Sequence, residues 1–237
     1  MSAPPKQPKQ AKRRTQARSA RLFRYDRAQE GIIVGGADEA GRGCLAGPLV
    51  AAGVAFNPHA LGRRARNELR ALDDSKRLSA RAREDLAGAI IMHAERVVVR
   101  SACAPTIDRG GLHRANLRLL AECLAGLADL ADVTLSDGFR LPAPAPPNHR
   151  AVIGGDGTSA AIAAASVIAK TVRDRMMTGP AASTWPEFGF GSHVGYGTPL
   201  HQQALRAHGL TPIHRRSFQS TAYPDDATMR LFEDPPG

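Results

Sequence analysis

Three times in this chain a short apolar run ends on an acid with glycine beside it, and few folds accommodate that pattern. Ile32 to Val34 leads to Asp38 and Glu39 and then into a loop holding Gly41, Gly43 and Gly47. Val133 to Ser136 leads into Asp137-Gly138, and Ala151 to Ile153 into Gly154-Gly155-Asp156-Gly157. Short apolar runs bounded by turn residues read as buried strands. In an open α/β sheet the strand ends on one edge converge, so four carboxylates remote in sequence can share one small volume. Like charges gathered that closely raise one another's pKa unless a cation neutralises them. An oxygen-only set suits Mg²⁺ or Mn²⁺ better than zinc or copper. The competing reading keeps the acids as separate turn residues that never meet, because turns draw heavily on Asp and Gly.

The remaining elements fit the same architecture. Leu49 to Phe56 is a second strand, joined to the first as a hairpin through the glycine loop, and Arg96 to Cys103 is a third. Helices are expected from Ala80 to Ala94 with Ser79 as N-cap, from Leu112 to Leu130 and from Ser159 to Met177. A last helix begins at the cap pair Thr198-Pro199 and stops at Gly209. Residues 57–72 are polar with no clear period, Pro105 to Arg109 reads as a turn, and residues 141–148 carry too many prolines for a strand or helix. One globular domain with tails follows from 237 residues of which 43% are hydrophobic.

The net charge of +10 suggests a polyanionic partner until it is divided. Residues 1–30 carry nine Lys and Arg against Asp26 and Glu30, leaving only +3 for the rest. That arm has almost nothing large and apolar before Leu22, so it is expected to be disordered and to act by counterion release on nucleic acid or merely as a solubilising tail. Cys44, Cys103 and Cys123 are odd in number and lack CxxC spacing, which argues against a disulfide framework or zinc site and for a reducing compartment. No apolar run reaches the roughly 18 residues of a membrane span, and the N-terminus lacks the features of a signal peptide. A cytoplasmic protein with no membrane partner is expected.

Six motifs in order carry a resemblance: DEAGRGCLAGP at Asp38 to Pro48, DSKRLS at Asp74 to Ser79, SDG at Ser136 to Gly138, GD at Gly155-Asp156 followed by the helix Ile162 to Arg175, HVGYGT at His193 to Thr198 and TPIHRRSF at Thr211 to Phe218. Together they closely resemble bacterial ribonuclease HII, the type 2 ribonuclease H, over residues 22–223. The resemblance implies an α/β ribonuclease H-like fold with a mixed five-stranded central sheet flanked by helices and a helical C-terminal part. The domain reading is then a disordered basic tail at 1–28, a catalytic domain at 29–223 and a flexible tail at 224–237.

The implied activity is endonucleolytic hydrolysis of RNA paired with DNA, including incision 5′ of single ribonucleotides embedded in duplex DNA, by two-metal catalysis with Mn²⁺ or Mg²⁺ that leaves 5′-phosphate and 3′-hydroxyl ends. By resemblance Asp38, Glu39 and Asp137 are the metal ligands and Asp156 the fourth catalytic acid. Gly41, Arg42 and Gly43 are similar to a loop that meets the ribose 2′-OH through main-chain N–H groups, and Tyr196 to a tyrosine that stacks on the deoxyribose. Ser75 and Lys76 resemble a phosphate-holding loop, and Lys170 adds a further contact. Gly154 departs from the pattern, since many relatives have lysine there. A monomer is expected.

Other features read more plainly. Gly41 to Ala46 fits the dinucleotide template GxGxxA, but a strand follows it instead of a helix, which excludes that use. Cys44 is expected to be a small packed residue, Trp185, Phe188 and Phe190 to be core, and His214 to be structural or a phosphate contact. The eight histidines show no HxxxH pairing. Met229 to Phe232 faintly resembles short peptides that dock into replication sliding clamps, although the usual glutamine is absent.

Overall fold

A computed structural model describes residues 20–72 and 78–218. Its centre is a mixed five-stranded sheet of order β3-β2-β1-β4-β5. The strands are β1 (Val34–Ala40), β2 (Leu49–Phe56), β3 (Arg96–Ala102), β4 (Val133–Asp137) and β5 (His149–Val152). The first three form an antiparallel meander, while β4 runs parallel to β1 and β5 parallel to β4. The helices are α1 (residues 20–27), α2 (Arg63–Glu68), α3 (Ala80–His93), α4 (Ala104–Gly110), α5 (Leu112–Ala125), α6 (Ala160–Met176), α7 (Ala182–Thr184), α8 (Phe190–His193) and α9 (Pro199–His208).

Alternation along the strands assigns each face of the sheet its own core. Val34, Ala40, Val50, Ala52, Val133 and Leu135 pack with α1, α3 and α6. Ala37, Leu49, Ala51 and Ala55 pack with α4 and α5. The small residues of α6 let it lie almost in contact with the β1 backbone. A Cβ at Gly36 would stand 2.3 Å from both Ala161 C and Ile162 N, so Gly36→Ala would push the helix off the strand that carries the acids. A third core, with Leu45, Met177, Phe188, Phe190 and Leu205, builds the helical C-terminal part. Phe188 and Phe190 are buried core residues stacked on each other, and Cys44 is fully buried.

Several boundaries differ from expectation, each for an identifiable reason. β1 starts later than its apolar run, because Ile32 is exposed, and it extends through the acids to Ala40. Pro105 sits in the first turn of a helix, where its missing N–H costs nothing, so the expected turn at 105–109 is α4. α2 was hidden among arginines, although Leu61, Ala65, Leu69 and Leu72 recur at helical spacing and are all buried. The tail boundary at residue 28 also shifts. Leu22 and Phe23 of α1 are buried, Phe23 meets Phe56 edge-on at 6.0 Å, and the Asp26 carboxylate accepts the Ala161 N–H at 2.9 Å. Residues 20–28 therefore belong to the folded body, with an acid placed against the start of α6.

Candidate active site

The parallel ladder that pairs Ala37 with Ser136 ends one residue short of Asp38 and Asp137, so those two acids stand on neighbouring strands at the same edge. Asp38 shares the sheet face of Ala40, and the Ser166 hydroxyl of α6 hydrogen-bonds its carboxylate. Glu39, one position on, shares the face of Ala37, where the Asn116 amide of α5 is beside it. Asp137 Oδ1 accepts the Gly155 N–H at 2.7 Å, which ties the β4 acid to the turn carrying Asp156. Asp156 is half-buried in the 3-10 turn Gly155–Gly157, which leads into the Ser159 cap of α6.

Burial and crowding govern the electrostatics. The Asp38 carboxyl is pushed up to about 7, first by burial and further by the nearby Glu39 and Asp137 charges, against the stabilising Ser166 bond. Glu39 is raised above its usual value by burial, opposed by the Arg42 guanidinium and by Asn116. Arg42 Nη1 donates to Glu39 Oε1 at 3.3 Å, whereas Glu39 Oε2 is buried without a hydrogen-bond partner. Among the described residues no group of three or more His, Cys, Asp or Glu side chains converges into a ready metal cage. The donor chemistry nonetheless fits a hard divalent cation. Buried carboxylates repel one another, and one of their oxygens is unsatisfied.

Beside the acids a cavity of about 280 Å³ is lined by Glu39, Gly41, Arg83, Ser166, Lys170 and Tyr196. Lys170 pairs with Asp174 at 2.6 Å and stands 5.7 Å over the Tyr196 ring, and Tyr196 is 43% exposed. Arg42 lies over the Phe139 ring at 5.2 Å, with Gly43 exposed next to it. Ser75 and Lys76, the expected phosphate contacts, lie outside the described residues. Sequence reasoning missed Ser166, concealed in a run of alanines, and Asn116, a lone polar residue on the buried face of α5. It also missed the buried Arg173 and Arg215, which sit among other basic residues.

A mixed sheet of this order, with acids at the ends of two parallel-paired strands and helices on both faces, is the architecture of the ribonuclease H-like class. A sequence model of the ribonuclease HII family matches residues 35–221. Ribonuclease HII of Chelativorans sp. (strain BNC1) is 45% identical over 192 residues, 80% of this chain and 73% of that protein. Among solved structures, ribonuclease H2 from Pyrococcus horikoshii OT3 superposes with TM-score 0.65 at 24% identity, covering 84% of this chain and 96% of that one. Ribonuclease HII from Archaeoglobus fulgidus, solved in complex with PCNA, gives TM-score 0.63 at 27% identity over 82% of this chain and 99% of that one. The chain belongs to the ribonuclease HII family and is a hydrolase, an endonuclease acting on the RNA of RNA–DNA hybrids. Among the described residues no helix is long and apolar enough to cross a membrane.

Proposed function

We propose that this enzyme also incises 5′ of single ribonucleotides embedded in duplex DNA, leaving 5′-phosphate and 3′-hydroxyl ends, and so serves ribonucleotide excision repair. The observation that supports the reading is the juxtaposition of buried Asp38 and half-buried Asp137 at one sheet edge with the unsatisfied Glu39 Oε2 and the glycine loop beside them. Asp38, Glu39 and Asp137 would hold divalent ions, Mg²⁺ or Mn²⁺, with Asp156 as the fourth acid. When bound, such a pair supplies an activated water and charge stabilisation for the departing 3′ oxygen. Ser166 orients Asp38 by its hydrogen bond, and Asn116 is beside Glu39 on the opposite face. Main-chain N–H groups at Gly41 to Gly43 meet the 2′-OH, Tyr196 stacks on the neighbouring deoxyribose, and Lys170 lies where it can neutralise a phosphate.

The deciding experiment compares a duplex carrying one ribonucleotide with a long RNA–DNA hybrid, each in Mg²⁺, in Mn²⁺ and with chelator. Cleavage of both, with the first cut 5′ of the ribonucleotide and silenced by chelator, is the expected result. Activity on long hybrids alone would overturn the repair reading. We further propose that residues 1–19 act as a basic arm on the polyanion and that residues 224–237, outside the described residues, contact a sliding clamp, as the PCNA complex of the Archaeoglobus protein encourages. Clamp pull-down by the intact chain, lost on truncation after Tyr223, would support that contact, and absence of binding by the intact chain would end it. We propose a monomer working in the cytoplasm, a reducing compartment in keeping with three free cysteines.

A further inference from the structure

We infer that Arg173 and Arg215 are positioning residues that build ribonucleotide specificity, by drawing the carbonyls of the glycine loop inward and leaving its N–H donors to the substrate. Both side chains are completely buried. Arg173, near the end of α6, donates from Nε to Pro48 O at 3.0 Å, from Nη2 to Ala46 O at 3.0 Å and from Nη1 to Val194 O at 2.9 Å. Arg215 donates from Nε and Nη2 to Gly47 O at 3.1 and 3.0 Å and from Nη1 to Arg42 O at 3.0 Å, while its own N–H reaches Leu45 O at 2.9 Å. Two rigid donor forks thus take four carbonyls of one eight-residue loop, a task the single ammonium of lysine cannot match.

The loop's amides are the complement of these carbonyls. Cys44 N–H turns back to Gly41 O, Leu45 and Ala46 N–H share Gly195 O, and Gly47 N–H reaches Ile213 O. Among the described residues the N–H groups of Gly41, Arg42 and Gly43 have no acceptor. Those are the donors the proposed function assigns to the 2′-OH. Gly41 also makes room for the clasp, because a Cβ there would lie 2.1 Å from Arg173 Nε. Val194 adopts a left-handed φ of +45°, costly for a β-branched residue, and its carbonyl is one that Arg173 holds.

This inference rests on the proposed 2′-OH reading, and the experiment separates the two. In an Asp38→Asn background, so that cleavage does not intervene, affinities are measured for a duplex with one ribonucleotide and for the same duplex in all-DNA form. Arg173→Lys and Arg215→Lys keep the charge and lose the fork. Each is expected to weaken ribonucleotide-duplex binding about tenfold or more while leaving all-DNA binding unchanged, a split that general loss of structure would not produce. Unchanged discrimination in folded Lys variants would overturn the inference. Should those variants not fold, amide exchange in the wild-type sequence decides. Arg42 and Gly43 N–H should exchange fast in the free protein and slow only with the ribonucleotide duplex, with Leu45 and Gly47 slow throughout. Protection of Arg42 and Gly43 in the free protein would overturn the inference. If the Asp38→Asn parent still cuts, or if it does not distinguish the two duplexes, the site reading has failed and not the role of the arginines.

Discussion

Asp38 and Glu39 are adjacent in the chain and turn to opposite faces of the sheet, one toward Ser166 of α6 and the other beside Asn116 of α5. With Asp137 near both of them, these are the carboxylates that would hold a divalent cation. Asp38→Asn should therefore lower turnover on the order of a thousandfold or more, as loss of one member of a cooperating set does. Hybrid affinity should change little, because the grip comes from the loop and the basic residues. Single-turnover cleavage alongside equilibrium binding checks both halves, and ordinary turnover by the variant would remove the site from this position.

Asn116 is fully buried beside Glu39, whose carboxyl it steadies, yet its amide falls short of strict hydrogen-bond geometry, an expensive arrangement for a residue that only fills space. Asn116→Leu should raise unfolding stability by about 1–3 kcal/mol by removing the unsatisfied groups. The same change should weaken Mn²⁺ binding about tenfold by depriving Glu39 of its neighbour. Denaturant titration and calorimetric metal titration of the substrate-free protein test the opposed directions.

Two glycines of the loop should behave differently when given a methyl group. Gly41 has φ +95° and would press a Cβ to 2.1 Å from Arg173 Nε and 2.9 Å from Pro48 O, whereas Gly43 opens onto free space. Gly41→Ala should cost about 2 kcal/mol or more through backbone strain and overlap. Gly43→Ala should stay within about 1 kcal/mol of the parent. Urea midpoints of the two variants, compared at equal m-value, measure the contrast.

Three histidines give the C-terminal part a pH dependence. His214 Nδ1 accepts the Thr211 N–H at 2.9 Å, so its proton sits on Nε2, which reaches His201 Nε2 at 2.9 Å. His201 in turn carries its proton on Nδ1 for Tyr196 O at 2.9 Å, and His193 stacks on His201 at 4.6 Å. Burial, together with the neighbouring imidazoles, pushes His201 down to about 4 and His214 down to about 3. The folded state favours the neutral rings, so between those values and the ordinary 6.5 the unfolded chain binds more protons. The histidines' share of the stability should be full above about pH 6.5 and be lost steadily as the pH drops toward 3 to 4. Asp38 and Asp26, pushed up by burial to about 7 and about 6, act in the opposite direction over the same range, so the histidine share is read as a difference. In urea titrations at pH 7.5, 6 and 5 the parent should lose more stability on acidification, or gain less, than His214→Gln.

The sheet was legible because its strands are short apolar runs bounded by glycine, and α5 and α6 because their apolar spacing is regular. The repeated acid-glycine ending suggested that Asp38 and Asp137 are neighbours but left them open to being separate turn residues, and the pairing of β1 with β4 sets them side by side. That Glu39 turns away from Asp38 follows from strand alternation only once β1 is known to include them both. Asn116, Ser166 and the two buried arginines were hidden for a common reason. Their significance lies in what stands opposite them across many tens of residues, and local pattern carries none of that. The histidine cluster likewise joins His193, His201 and His214 through packing, at no recognisable spacing.

Gly47 and Arg215, which fasten the glycine loop, are 168 positions apart. A chain emerging from the ribosome displays its acids early, and its glycine loop stays unfastened until Arg215 follows. A message truncated just upstream of Arg215 would therefore encode Asp38 and Asp137 together with a loop whose Arg42 and Gly47 carbonyls lack their donor.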